Sequence, residues 1–238
     1  NIAYDASLCE LDDAIRNLIE YLTREKLLNP SLIIITSDHG ENIGDHGLMD
    51  HQLCLYDTLL KVPLIIIGPG FPQGKRYTKQ IQLYQIFHTI IKAAHAEKEV
   101  KKFGHTLSLQ EMIKNKNGFE FTFAEYGRPD QIKNAYSRYT PTLDMRFYTH
   151  LKCVRHHDYK YIFNEIGKDE LYDLRIDPKE TQNLIISEKY RSVLEKMKNV
   201  LQKQQVKLNA DQIEKNKSKT TEISENEIIR QLKGLGYM

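Results

Sequence analysis

Four carboxylates and three imidazoles fall within residues 37–51: Asp38, Glu41, Asp45 and Asp50 with His39, His46 and His51. They follow directly on the aliphatic run Ile33-Ile34-Ile35-Thr36. A short β-branched stretch of this kind reads as a buried parallel strand. Asp38 and His39 then stand at its carboxyl end, the edge at which open α/β sheets bind ligands. A carboxylate and an imidazole there, with Gly40 allowing the chain to turn, suit a divalent cation. Oxygen donors favour calcium, magnesium or manganese, and a nitrogen donor shifts the choice toward manganese or zinc. The alternative is that Asp38 caps the next turn and His39 is a hydrogen-bonded loop histidine. Two side chains do not complete a shell, because calcium takes about six to eight oxygens. The spacing H-G-E-x-x-x-x-H differs from the H-E-x-x-H of zinc proteases.

Elements able to hold this stretch can be read on either side of it. Leu8, Leu11, Ile15, Leu18, Ile19 and Leu22 recur at helical spacing and predict a helix over 8–28, stopped by Asn29-Pro30. Residues 53–60 read as a short helix or turn. Val62 to Ile67 is a second apolar strand closed by Gly68-Pro69-Gly70. Ile81, Tyr84, Phe87, Ile90 and Ile91 mark one face of a helix over 80–94. This alternation predicts an α/β layer with a parallel sheet flanked by helices.

The segment 95–145 is polar and basic, with Phe119 to Gly127 alternating like a strand. Beyond it, FYTHLKCVRHHDYKYIFNE reads as an antiparallel hairpin turning at His156 to Asp158, and DELYDLRIDPKET follows. A polar helix is predicted over 185–207, a charged linker over 208–224 and a short amphipathic helix at the end. The division is therefore 1–145, an α/β domain part; 146–207, a small antiparallel α+β subdomain; and 208–238, linker and terminal helix.

The composition is that of an ordinary globular chain: 238 residues, 40% hydrophobic, 28% charged, net charge +2. The charge balance argues against a nucleic-acid partner, and no apolar run reaches the roughly 18 residues of a membrane span. Cys9, Cys54 and Cys153 are widely spaced with no CxxC pair, which leans the compartment toward a reducing cytoplasm. Oligomeric state is not legible.

Taken together, TSDHGENIGDHGL, LYDTLLKVPLIIIGPG, VRHHDYKYIFNEIGKDELYDLRIDPKETQNL and IIRQLKGLGYM resemble, in order, the second half of the sulfatase family within the alkaline phosphatase superfamily. The resemblance covers about the whole chain and is weak over 95–145. It implies an alkaline-phosphatase-like fold and hydrolysis of sulfate esters, of small molecules or carbohydrates. It implies that Asp38 and His39 are half of a divalent-metal site. The ion is calcium in the usual form of the family, with manganese or zinc as alternatives. His51, five residues before Tyr56, matches the lysine or histidine that holds the sulfate and protonates the leaving oxygen. Lys61 takes the place of an arginine before the V-P strand, where it binds substrate or anchors the strand. His46 is expected to shape the loop, and Arg128 and His150 could reach the substrate.

The family nucleophile is a formylglycine made from a C/S-x-P-x-R motif. No such motif occurs here, nor do the paired aspartates that open the metal site. The resemblance therefore implies the C-terminal portion of a sulfatase, inactive alone. Where the family often has asparagine, this chain has His39. That histidine also occurs in phosphonate monoester hydrolases and phosphodiesterases, which form the alternative reading beside a catalytically inactive chain.

Overall fold

In the computed structural model the described residues are 2–98, 107–127 and 144–218, with side chains of the last helix described as far as 207. The elements are α1 (Ile2–Arg24), β1 (Ile33–Thr36), β2 (Asn42–Ile43), β3 (Met49–Asp50), α2 (Asp57–Leu60), β4 (Leu64–Ile67), α3 (Gln85–Ala93), α4 (Leu109–Lys114), β5 (Phe121–Tyr126), β6 (Leu151–His156), β7 (Tyr159–Asn164), β8 (Glu170–Asp173) and α5 (Arg191–Ser218). Residues 1–194 cluster as one compact unit and 195–238 as another.

The α/β class holds, but the described strands pair antiparallel. β1 and β4 run in opposite directions, with Ile33 opposite Ile67 and Thr36 opposite Leu64. An aliphatic β-branched run signals burial, and it reads the same in either direction, so the parallel expectation had no independent support. Neither strand is fully buried, and Ile65 is 55% exposed. α1 starts earlier than its apolar spacing suggests and buries none of its residues. It ends before Asn29-Pro30, where Lys26 takes a positive φ of 59° and the N–H groups of Leu27 and Leu28 both donate to the Leu22 carbonyl.

The helix expected over 80–94 begins only at Gln85. Gln80 and Gln82 instead serve the segment of β5, donating to the carbonyls of Phe119, Glu120 and Phe123. β5 in turn pairs with β6, so the four-stranded sheet β5-β6-β7-β8 runs across the expected boundary at 145. The hairpin at 156–158 forms as expected, β6 pairing with β7. α5 continues through Ser218, where a linker was expected from 208; the terminal helix lies outside the described residues.

The core sits between this sheet and the segment 48–59. Leu48, Leu53, Cys54, Leu55, Tyr56 and Leu59 pack with Phe147, Leu151, Cys153, Ile162 and Tyr172. Each such side chain withdrawn from water contributes about 1.5–3 kcal/mol. Two polar anchors lie within it. Tyr56 and Tyr172 both donate their hydroxyls to Glu170 Oε2, at 2.8 and 2.6 Å. The second anchor is Lys160, which is 0% exposed. Its Nζ lies 2.8 Å from Asp57 Oδ1 and 2.8 Å from Glu180 Oε1. Arg155 Nε and Nη2 reach the same Asp57 carboxylate at 3.3 and 3.2 Å.

The ELYDLRIDPKETQNL stretch is what delivers Glu180. Asp177 accepts from Gln182 N and Thr181 Oγ1, Asn183 Oδ1 accepts from Leu171 N at the start of β8, and Leu184 N donates to Leu171 O. The turn so formed aims Glu180 Oε2 at the N–H of Asp57, 2.6 Å away. Burial by itself would raise the Asp57 carboxyl, but Lys160 and Arg155 outweigh it and hold the group below its ordinary value. Burial raises the Glu180 carboxyl, which Lys160 only partly offsets.

Removing Lys160 leaves two buried carboxylates without their ammonium. K160M is expected to cost about 3–5 kcal/mol in chemical denaturation, where a surface ion pair costs at most about 1. A second expectation concerns pH. Asp57 has a depressed folded value, so its pairing adds stability above 3.8, its ordinary value, that is lost as pH falls further. Glu180, with a raised value, acts in the opposite sense: its contribution is complete below 4.5 and is lost as pH rises through its folded value. The stability difference between wild type and D57N should shrink only below pH 3.8. A difference that vanished near neutrality would contradict this.

Candidate functional site

The loop after β1 is shaped by three local constraints. Gly40 N donates to Leu59 O at 2.8 Å, bringing the chain against α2. A Cβ on Gly40 would run into the Thr58 carbonyl oxygen, so the close approach requires glycine. Asn42, buried, accepts from Thr58 Oγ1 at 2.7 Å and faces the Cys54 thiol. A two-strand hairpin then forms, with Asn42 opposite Asp50 and Ile43 opposite Met49. Extending this register by one residue sets Glu41 beside His51.

Asp38 and His39 are both solvent-accessible. His39 N donates to its neighbour's Asp38 Oδ1 at 3.0 Å, and His39 Nε2 lies 3.7 Å from the same oxygen. Nδ1 of His39 is 2.9 Å from Gly40 O. With the proton on Nδ1 donated to that carbonyl, Nε2 is left as a free donor atom beside the Asp38 carboxylate. A backbone acceptor behind a ligating imidazole is the usual outer shell of a metal histidine. The pair therefore fits a divalent cation, one oxygen and one nitrogen donor facing a common point.

His51 joins them. Its ring stacks on His39 with centroids 4.3 Å apart and planes 19° from parallel. Its Nδ1 lies 2.6 Å from Asp50 Oδ1 and 3.6 Å from Glu41 Oε2. Glu41, Asp50 and His51 each offer a ligand atom within 4.8 Å of the others. Asp50 adjoins His51 in the chain, so its nearness was visible; that of Glu41 depends on the hairpin register, which the sequence does not display.

The other candidates separate from this group. His46 takes a positive φ of 54° and stacks on Tyr56 at 3.6 Å, and burial lowers its basicity. Lys61 is exposed at the C-cap of α2, and no described contact joins it to the histidines. His150 pairs with Glu125 at 2.7 Å on the large sheet. Arg128 lies outside the described residues.

Residues 2–96 match the sulfatase family model. The chain is 30% identical to the choline-sulfatase of Rhizobium meliloti over 183 residues, 76% of this chain and 32% of that protein. The chain belongs to the sulfatase family. It spans about a third of the length of the curated relatives it matches. Solved structures agree in fold. A protein determined in complex with its substrate D-glucosamine-2-N,6-O-disulfate superposes with a TM-score of 0.63 at 22% identity, covering 84% of this chain and 39% of that one. The phosphonate monoester hydrolase of Silicibacter pomeroyi superposes at 0.65 with 17% identity, covering 83% and 39%. The sulfatase fold is thus alkaline-phosphatase-like, as the motifs imply.

The contact between the sulfatase loop and α2 yields a prediction. G40A must push the loop off Thr58 and Leu59, an overpacking cost of about 1–3 kcal/mol or more. It should also abolish the nuclear Overhauser contact between the His39 and His51 rings. An unchanged contact and stability would mean that the approach at Gly40 does not hold the loop.

Proposed function

We propose that this chain carries part of the active site of a metal-dependent sulfate-ester hydrolase. Asp38 and His39 are two ligands of the divalent cation, and His51 binds the sulfate and protonates the leaving oxygen. The observation that carries the reading is the stack of His51 on His39, beside the Asp38 carboxylate. It supports a cation site and a proton donor within one substrate's reach. Lys61, at the far end of α2, is the weaker candidate for a substrate contact.

A cation held by Asp38 and His39 would supply positive charge to the sulfate oxygens; calcium fits the carboxylate, manganese or zinc the imidazole. His51 Nδ1 faces Asp50 Oδ1, which accepts its proton and leaves Nε2 to work on substrate. An imidazolium so placed would hold a sulfate oxygen, then pass its Nε2 proton to the departing alkoxide or phenoxide. The remaining ligands and the nucleophile, a formylglycine in the family resemblance, belong to a part of the family that this chain does not cover. The substrate class is a sulfate ester of a small molecule or carbohydrate. The names of the choline-sulfatase relative and of the disulfated glucosamine complex support it.

The full-length gene product is to be assayed on 4-nitrophenyl sulfate and on a phenyl phosphonate ester, before and after chelation. Sulfate-ester turnover that chelation abolishes and calcium or manganese restores is expected. H51A should lower kcat by about 10²–10⁴-fold, the usual weight of a proton donor, and D38N should abolish the metal response. Faster turnover of the phosphonate ester would favour the phosphoryl reading that His39 suggests. The 238 residues alone are expected to show no sulfate-ester turnover, and metal-dependent turnover by them would overturn the assignment of the remaining ligands elsewhere.

A further inference from the structure

α2 is only four residues long, yet both sides of the candidate site hang from it. On one side, Leu59 O accepts from Gly40 N, and Thr58 Oγ1 donates to Asn42 Oδ1. These two bonds bracket Glu41 and fix the turn that bears Asp38 and His39. On the other side, the chain leading into α2 from His51 passes through Leu53, Cys54, Leu55 and Tyr56, all buried. Buried and close-packed, that segment has little freedom to move apart from α2.

A helix of one turn has no stability of its own. What holds α2 is the charge cluster at its first residue. Asp57 receives Lys160 and Arg155 on its carboxylate and presents its backbone N–H to Glu180. Lys160 comes from the middle of β7, a strand paired on both sides, by β6 and β8. The ammonium therefore ties a mobile-length turn to the most heavily bonded part of the sheet.

We propose that Lys160 is a positioning residue for the site: through Asp57 and Glu180 it fixes α2, and α2 sets His51 against Asp38 and His39. Lys160 touches neither substrate nor metal. The proposal rests on the hydrolase reading only for why the spacing matters, because the spacing itself can be measured without turnover.

The test is nuclear magnetic resonance of the histidine rings in the chain. Wild type should show a ring-to-ring Overhauser contact between His39 and His51. K160M/D57N/E180Q replaces all three buried charges together, so no orphan charge remains; such neutral replacements commonly leave a fold intact. Its sheet amides should stay dispersed while the His39–His51 contact is lost. V154A, a cavity in the same sheet, should lower stability and keep the contact. Should the triple variant not fold, E180Q carries the test, since Lys160 keeps Asp57 as its counter-charge; a weakened contact is expected. An unchanged contact in whichever of these variants folds, or no contact in wild type, overturns the proposal. Loss of the contact in a protein that proves to hydrolyse no sulfate ester would overturn the hydrolase reading and leave the positioning role standing.

Discussion

A single buried ammonium organises this part of the molecule. Lys160 is enclosed completely, and a charge in that position is tolerable only where counter-charges meet it. Asp57 and Glu180 do so from two directions, one from the segment after the histidine loop and one from the turn after β8. Three stretches that are far apart in the chain are thereby obliged to converge. The Tyr56–Glu170–Tyr172 contact beside it adds a second polar tie across the same apolar interface. Apolar packing alone would bring the segment 48–59 onto the sheet. The ionic and hydrogen-bonded ties specify its register there, because each donor and acceptor has one satisfactory place.

The chemistry sits at the margin of this rigid region. His39, His51, Asp38, Glu41 and Asp50 are all partly exposed, whereas the residues that fix their backbone, Asn42, Leu53 and Tyr56, are buried. Exposed donor groups on a buried frame suit a site that must admit an ion and an anionic ester. The contrast with α1 and the β1–β4 pair is instructive. Those elements carry long aliphatic faces and bury little of them among the described residues. Their amphipathic patterns are those of a packed α/β layer, and sulfatase relatives about three times as long share this stretch.

The motif residues differ in how they could be read. Asp38 and His39 stood out because ionisable groups directly after an aliphatic strand are chemically conspicuous. Lys160 and Glu180 lay within YKYI and DPKET, where they read as ordinary surface charges in a tyrosine-rich hairpin. A lysine that is wholly buried looks like any other lysine in a sequence, since burial depends on what packs above it. Glu41 was visible as a residue and set aside as a ligand. Its nearness to His51 follows from a two-residue hairpin too short to leave an alternating pattern.

By itself, the sequence determined the α/β class, the positions of most elements to within a few residues, the hairpin at 156–158 and the sulfatase motifs, because these depend on periodicity, on turn residues and on short contiguous spacing. Tertiary structure alone decided strand direction, the joining of β5 to the sheet across residue 145, the convergence of His39 with His51 and Glu41, and the enclosure of Lys160. Each of these is a pairing between residues distant in the chain. Its energy arises from the partner, and neither sequence segment carries a local trace of it.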